Sequence, residues 1–189
     1  MSLFVNTFFE ERLQDLFNLA ARVEKAFGAA GIEYRVVGGL AAYLYVEQAE
    51  VDAGRLTKDI DILVRRQDLP RIAEAVGPFG LEYRDAAGVD MLVQKGVPSA
   101  RRAVHMIFEG EKVRPEYCEP AAKIGERSEI RAIPVIPLAD LVTMKLTSFR
   151  LKDQTHIQDL DEQGLITPEI EAGLSALLRE RLAHVRAQD

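Results

Sequence analysis

The chain has 189 residues, of which 48% are hydrophobic and 29% charged, a composition that favours one compact domain, alone or with a small helical appendage, and excludes long disorder. Its formal net charge of −6 argues against general binding of duplex DNA, because proteins that hold duplexes through phosphates usually carry a basic surplus. The chain has a single cysteine, no apolar run of ~18 residues and, at the N-terminus, no basic segment that leads into an apolar one. We therefore expect a cytoplasmic protein without an internal disulfide, a membrane span or a signal peptide.

Hydrophobic periodicity and turn residues predict the first elements of the chain. Apolar side chains recur at three- and four-residue steps over residues 7–27, which predicts an amphipathic helix ended by glycines at positions 28 and 31. The elements expected next are a strand over 34–37, a helix over 40–45, a polar loop over 49–57 and a strand over 59–64.

Later segments predict more strands and then helices. Asp68 is expected to cap a short helix over 69–76, with Pro70 in its first turn. Strands are expected at 80–84, 89–94 and 101–108, and an extended segment at 129–136, before a helical region that starts at Leu138. This order predicts an α+β fold, with a mixed β-sheet covered by helices. We expect a core over residues 1–136 and a helical C-terminal segment, 137–189, packed on it.

The sharpest chemical signal is the segment 55–62, RLTKDIDI. Side chains alternate between the two faces of a strand, so Asp59 and Asp61 are expected to share one face while their apolar neighbours enter the core. Two adjacent carboxylates repel each other, and a divalent cation removes that repulsion. Magnesium prefers oxygen ligands and is often held by one or two carboxylates together with substrate phosphates. The alternative is a solvated strand face that carries two acids.

The second signal is the segment 36–39, VVGG, in which a strand runs into Gly38 and Gly39 before a helix. Glycine lets the backbone approach a ligand closely, and the N-terminus of a helix attracts phosphate. A tight turn without a ligand is the alternative for this segment alone.

Together, the glycine turn and the later strand with Asp59 and Asp61 resemble the signature of nucleotidyltransferases of the DNA polymerase beta superfamily. Residues 37–41 (VGGLA) and 55–61 (RLTKDID) are similar to a bacterial branch that includes AbiEii-type toxins and related minimal nucleotidyltransferases. The resemblance implies a nucleotidyltransferase fold and transfer of a nucleoside monophosphate from a nucleoside triphosphate (NTP), with Mg²⁺ or Mn²⁺, to an unknown acceptor, which could be a tRNA, a protein or a small molecule.

The resemblance also implies roles for individual residues. By motif position, Gly38 and Gly39 would face the triphosphate, and Asp59 and Asp61 would bind the metal. Thr57 would be a hydroxyl partner of this site, or simply a threonine at the start of a strand.

One position departs from the family pattern. The family usually supplies a third carboxylate from a later strand, but the strand 103–108 (AVHMIF) has His105 at its middle polar position. We predict that His105 faces the same cleft as Asp59 and Asp61 and takes part in catalysis, because a neutral imidazole can bind a metal or act as a base, although it adds no negative charge. Glu109 could substitute for the third acid if the strand continues, and a structural histidine is the remaining alternative. The departure also supports a second function, a nucleotide-binding or regulatory module that has lost turnover. Such a module could belong to a toxin–antitoxin system.

A third signal is the segment 145–160, KLTSFRLKDQTHIQDL, which resembles the region after the catalytic sheet in the AbiEii-like branch. On one continuous helix, Asp153 would lie in an apolar stripe and would need a partner, either Arg150 or Lys145. The alternative is a break near residue 151, with Asp153 as the N-cap of the next helix.

Three basic side chains of this segment, Lys145, Lys152 and His156, would share another helical face. We predict that Lys145 takes part in catalysis and that Lys145 and Lys152 bind the triphosphate. A solvated surface is the alternative.

Overall fold

A computed structural model describes residues 3–50, 55, 57–96 and 103–188, and only the backbone of residues 3–9. In the described part, helices and strands alternate at first, then five strands follow one another, and four helices come last. The helices are α1 (Leu3–Ala30), α2 (Gly38–Ala49), α3 (Leu69–Ala75), α4 (Leu138–Ser148), α5 (Leu151–Glu162), α6 (Pro168–Gly173) and α7 (Ala176–Arg186). The strands are β1 (Arg35–Val37), β2 (Ile60–Val64), β3 (Leu81–Ala86), β4 (Val89–Gln94), β5 (Val104–Phe108), β6 (Ser128–Ile130) and β7 (Ile133–Val135).

The seven strands of the described part form one mixed sheet in the order β3-β4-β5-β2-β1-β7-β6. The pairs β2–β5 and β1–β7 are parallel, and all other neighbours in the sheet are antiparallel. The predicted α+β architecture with a mixed sheet is therefore confirmed. Within the described residues, no helix is long and apolar enough to cross a membrane.

The helices cover the sheet through apolar side chains. The helix predicted over 7–27 is confirmed and extends to Ala30, with Leu16, Val23 and Phe27 at most 5% exposed. Helix α2 begins at Gly38 rather than at Leu40 and is buried from Gly39 to Val46, as expected for a helix that is apolar on all sides. One hydrophobic core joins α1, α2 and the sheet to α4, α5 and α7.

Several sequence predictions need correction. The segment 129–136 is a hairpin of two strands, because Arg131 and Ala132 take positive φ angles of 53° and 60° and reverse the chain. Asp68 precedes α3, but its carboxylate accepts a hydrogen bond from Arg71 instead of from the helix backbone. Residues 51–54 and 56 of the predicted loop, and residues 101–102 of the strand expected at 101–108, lie outside the described residues.

The region predicted either as one helix or as two is broken. Helix α4 ends at Ser148, Phe149 takes a left-handed conformation with φ of 49°, and α5 begins at Leu151 with Arg150 as its N-cap residue. Asp153 therefore lies in the first turn of α5 and is not the N-cap. The break turns α5 back against α4 and α2, and both helices reach the face of the sheet that carries Asp61.

Candidate functional site

A cavity of about 490 Å³ lies over the sheet, bounded by β2, β5, α4, the start of α5 and the loop after β5. Among the residues that line it are six predicted from sequence: Gly38, Asp59, Asp61, His105, Lys145 and Lys152. Thr57 and Gly39, although described, are not among the lining residues. The residues predicted from three separate segments are thus largely brought to one place.

Gly38 and Asp61 meet at the start of α2. The antiparallel register places Val37 beside Asp61, so the next residue, Gly38, lies against the Asp61 side chain. Gly38 has φ of +68°, and a Cβ on it would lie 2.1 Å from Oδ2 and 2.9 Å from Cβ of Asp61. Only glycine suits this position, because it accepts the left-handed conformation and leaves space for the carboxylate.

Asp59 and Asp61 flank the first residue of β2, and their burial follows the expected alternation. Ile60 and Ile62 are at most 1% exposed, while both acids are partly exposed. Asp59 lies one residue before the strand, so only Asp61 belongs to the ladder itself. Both carboxylates nevertheless line the same cavity.

Thr57 and Gly39 support the site from outside the cavity. Thr57 is 8% exposed, and its hydroxyl donates to the backbone carbonyl of Asp59 at 3.3 Å. A Cβ on Gly39 would lie 2.7 Å from Oγ1 of Thr57 and 3.6 Å from Cε1 of His156. These two residues therefore pack on each other, and the contacts correspond to the alternative of a structural threonine at the start of a strand.

His105 occupies the strand position beside Asp61. The parallel register pairs the two residues, and Nδ1 of His105 lies 3.5 Å from Oδ1 of Asp61. The contact with Asp61 raises the pKa of His105 above its ordinary value, although burial opposes this effect. Within the described residues, no three side chains of His, Cys, Asp or Glu converge as a metal site.

Glu109 does not take the place of a third acid. Its carboxylate accepts a hydrogen bond from the backbone N–H of Ile124 at 2.8 Å and lies 3.4 Å from the Arg65 guanidinium. Glu109 is not among the cavity-lining residues. The strand β5 ends at Phe108, so the face alternation that suggested Glu109 does not continue to it.

Lys145 is held in a buried network at the junction of α4 and α5. Its side chain is 4% exposed, and Nζ donates to Oδ1 of Asp153 at 2.9 Å and lies 2.9 Å from Nδ1 of His156. Asp153 also accepts hydrogen bonds from Ser148 at 2.8 Å and from Nε of Arg150 at 2.6 Å. Both partners proposed from sequence for Asp153 are thus present.

The network shifts the pKa values of its buried members. Burial opposes ionisation of Asp153, but hydrogen bonds from Arg150, Lys145 and Ser148 outweigh it and hold the pKa of Asp153 well below its usual range. Burial lowers the pKa of Lys145, an effect that Asp153 opposes. Burial and the Lys145 charge lower the pKa of His156 to about 4, so the imidazole is neutral at pH 7 and its Nδ1 accepts from Lys145.

An ammonium group has three N–H donors, and Asp153 and His156 account for two of those on Lys145. Within the described residues, no further hydrogen bond of this ammonium is found, and Lys145 lines the cavity. His156 itself is buried under Gly39. The helical face predicted for Lys145, Lys152 and His156 is therefore divided, because the two lysines line the cavity while the histidine supports Lys145.

Sequence reasoning missed the loop that borders the cavity on one side, residues 111–121. This loop is closed at its base by two backbone hydrogen bonds, from Gly110 to Ala121 (3.0 Å) and from Ala121 to Glu111 (2.8 Å). It contributes Val113, Arg114 and Tyr117 to the lining of the cavity. No local motif marks these residues, because only the folding of the loop onto the sheet brings them to the site.

No family model matches the chain, and no curated protein matches its sequence. Solved structures do match: ANT(2'')-Ia in complex with adenylyl-2''-tobramycin has a TM-score of 0.56 and 10% identity, with 93% of this chain and 98% of that chain covered. The solution structure of the antibiotic-resistance factor ANT(2'')-Ia has a TM-score of 0.51 and 11% identity, covering 94% and 91%. An antigenic nucleotidyltransferase-like protein from Paracoccidioides brasiliensis has a TM-score of 0.55 and 18% identity, covering 89% and 85%. These matches show that the chain has a nucleotidyltransferase fold.

Proposed function

We propose that the chain is a nucleotidyltransferase, which moves a nucleoside monophosphate from an NTP to a hydroxyl group of an acceptor. The hydroxyl oxygen bonds to the α-phosphorus, the bond from the α-phosphorus to the β-phosphate oxygen breaks, and pyrophosphate and the hydroxyl proton are released. One observation carries the proposal: in a nucleotidyltransferase fold, Asp59 and Asp61 line one cavity together with Gly38 and two lysines, Lys145 and Lys152. This combination offers carboxylates for a cation and cations for phosphates. Neither group alone would distinguish the site from an ordinary charged surface.

The donor chemistry of the cavity fits a divalent ion. Asp59 and Asp61 offer carboxylate oxygens, which suit Mg²⁺ or Mn²⁺. Since no third acid joins them within the described residues, the set fits an ion held jointly by the protein and by phosphate oxygens. When bound, such an ion would neutralise phosphate charge and favour the hydroxyl as a nucleophile.

The remaining residues of the site would bind and orient the triphosphate. Lys145 would donate its third N–H to a phosphate oxygen, while Asp153 and His156 keep the ammonium in place. Lys152 is exposed at the start of α5 and would add a mobile positive charge. The first backbone N–H groups of α2, beside Gly38, favour an anion through the helix dipole.

The test is incorporation of labelled NTPs in the presence of Mg²⁺, with RNA, protein and small molecules as acceptors. The double change Asp59→Asn and Asp61→Asn should reduce incorporation on the order of 10²-fold or more, as when a positioned electrostatic group is removed. Asp85→Asn, on the exposed hairpin of β3 and β4, is the matched control and should leave it unchanged. Equal activity in the double variant and the control would refute the assignment.

The acceptor is a separate part of the proposal. The ANT(2'')-Ia crystal structure holds adenylyl-2''-tobramycin, so a small molecule is one acceptor to test beside tRNA and protein. The AbiEii-like branch rests on the motifs at residues 37–41 and 55–61, and a toxin role would follow from it. Growth arrest on expression of the wild type, relieved by Asp59→Asn with Asp61→Asn, would support that role.

A second function, a nucleotide-binding module without turnover, is favoured by His105 at the strand position beside Asp61. In that case Mg²⁺ and NTP raise the melting temperature, but the wild type incorporates no label. His105→Asp would place a third carboxylate next to Asp61 and should strengthen Mg²⁺ binding measured by calorimetry. Incorporation by His105→Asp but not by the wild type would identify the binding module; incorporation by the wild type would exclude it.

A further inference from the structure

The cavity has two sides of different chemistry. The charged side comprises Asp59, Asp61, His105, Lys145 and Lys152, on β2, β5, α4 and α5. The loop side comprises the apolar or aromatic residues Ile107, Val113, Tyr117, Pro120 and Met144, and its loop also contributes two charged residues, Arg114 and Glu119. The two sides are continuous: Ile107 follows His105 by two residues on the same face of β5, roughly 7 Å along a strand, and Met144 precedes Lys145 on α4.

We propose that the loop side of the cavity binds the nucleoside of the NTP, with Tyr117 as the surface on which the base stacks. This inference rests on the proposed function, because it assumes that the phosphates occupy the charged side. With the phosphates bound there, the nucleoside extends along the same cavity, whose volume of about 490 Å³ lies in the range of small-ligand sites.

The loop that carries Tyr117 is anchored at several points. Besides the hydrogen bonds at its base, Glu111 accepts two hydrogen bonds of 2.6 Å from the Arg66 guanidinium. Near the other end of the loop, Glu119 accepts a hydrogen bond of 2.7 Å from Ser175. Such anchoring pre-organises Tyr117, and a ring that is already in place loses little entropy on binding a base.

Arg150 adds a second group suited to a nucleobase. Its Nε is bound to Asp153, yet 54% of its side chain stays exposed, and it lines the cavity with Tyr117. The hydrogen bond to Asp153 raises the pKa of Arg150 above its ordinary value, so the guanidinium stays charged. Aromatic rings and planar guanidinium groups are the side chains on which bases stack.

Charged side chains also border the loop side, and they are of both signs. Arg114 and Arg150 line the cavity here, as does Glu119, whose carboxylate accepts a hydrogen bond from Ser175. An uncharged base is repelled by neither sign of charge. Val113, 50% exposed on the rim, also suits an uncharged planar ligand.

The test compares two ligands that differ only in the nucleoside: an NTP and inorganic tripolyphosphate, each with Mg²⁺, by calorimetry. Tyr117→Leu should weaken NTP binding roughly tenfold, within the range of measured base–aromatic stacking. It should leave tripolyphosphate binding within about twofold, because the charged side is untouched. Tyr117→Phe keeps the ring and should bind both ligands as the wild type does. Tyr83→Leu, on β3 outside the cavity, is the matched control.

Three outcomes would overturn the nucleoside assignment. These are an NTP Kd and an acceptor KM that are both unchanged in Tyr117→Leu, equal weakening of both ligands, and an unchanged NTP Kd with a raised KM for the acceptor. The last would assign Tyr117 to the acceptor. Ring-dependent NTP binding without incorporation into any acceptor would overturn the proposed transfer and leave the nucleoside site standing. A wild type that binds no NTP would overturn both.

Discussion

Replacing Gly38 with alanine tests whether the start of α2 and the Asp61 carboxylate form one site. The new Cβ would lie 2.1 Å from Oδ2, 2.8 Å from Cγ and 2.9 Å from Cβ of Asp61. Rotation about χ1 of Asp61 would move Oδ2 and Cγ away, but it would leave Cβ where it is. Relief therefore requires the paired strands β1 and β2 to separate where Val37 meets Asp61.

The expected cost has two components. The left-handed conformation of residue 38, with φ of +68°, costs an alanine roughly 1–2 kcal/mol. Overpacking against Asp61 adds about 1–3 kcal/mol, the usual range for an inserted methyl group in a packed region. Gly88→Ala is a matched control, because Gly88 has φ of +78° but has no neighbour within 4 Å of an added Cβ. Gly88→Ala should therefore lose stability only through the left-handed backbone conformation.

The assay is urea denaturation for the free energy of unfolding, followed by calorimetry with Mg²⁺ and an NTP. We expect Gly38→Ala to lose more stability than Gly88→Ala and to weaken NTP binding at least tenfold, because Asp61 is displaced. Gly88→Ala should bind as the wild type does. Equal loss of stability in the two variants, together with normal NTP binding by Gly38→Ala, would refute the role of the Gly38–Asp61 contact.

Other predictions follow from the buried network and from the metal. The pKa of His156 is about 4 in the folded state against an ordinary 6.5, so the unfolded state binds more protons. The free energy of unfolding should therefore fall by roughly 2 kcal/mol as pH drops from about 7.5 to 5. Urea denaturation of His156→Gln should show a smaller fall over the same pH range. Asp153→Asn leaves the Lys145 charge buried without its carboxylate partner and should lower the free energy of unfolding by about 3–5 kcal/mol. Asp159→Asn instead leaves Arg55 without its ion-pair partner. Because Arg55 is 62% exposed, that change should cost about 1 kcal/mol or less in the same assay. At a hundredfold excess over Kd, NTP should stabilise the folded state by about 2.7 kcal/mol and so raise the melting temperature. Removing Mg²⁺ with a chelator should abolish this increase and should leave the melting temperature of the ligand-free protein unchanged.

The elements that sequence predicts well are those specified by local periodicity. The apolar steps over 7–27 identify α1, and the alternation around Ile60 and Ile62 separates the two acids from the core. The glycine pair after β1 correctly indicates a turn into a helix. These features depend on nearest neighbours along the chain, so the sequence contains enough information to predict them.

The hairpin that the sequence did not predict and the helix break that it left open as an alternative have one physical cause. Arg131, Ala132 and Phe149 take left-handed conformations that are usual for glycine or asparagine, so no turn residue announces the β6–β7 hairpin or the break between α4 and α5. Tertiary contacts stabilise the second case: Arg181 of α7 donates to the Leu146 and Thr147 carbonyls at 2.6 and 2.8 Å. A contact from so far along the chain leaves no local signal.

The position of Lys145 depends on that break. Because α5 turns back beside α4, Asp153 and His156 approach Lys145 from eight and eleven residues further along the chain. Sequence reasoning named Arg150 and Lys145 as partners of the buried acid, but it placed His156 on a solvent-facing or phosphate-binding surface. The neutral imidazole instead accepts a hydrogen bond from Lys145 and lies beneath α2.

The two glycines of the turn therefore have different tasks, which a shared motif role does not reveal. Gly38 leaves space for Asp61, and so connects α2 to the strand that carries the acids. Gly39 leaves space for Thr57 and His156, and so connects α2 to the helix that supports Lys145. A side chain at position 38 would displace Asp61 directly. A side chain at position 39 would displace Thr57, whose hydroxyl donates to the carbonyl of residue 59, and so would disturb the acids indirectly. It would also displace His156, the hydrogen-bond partner of Lys145. The charged side of the cavity thus depends on both positions, because they bring segments that are distant in sequence within contact of the same helix start.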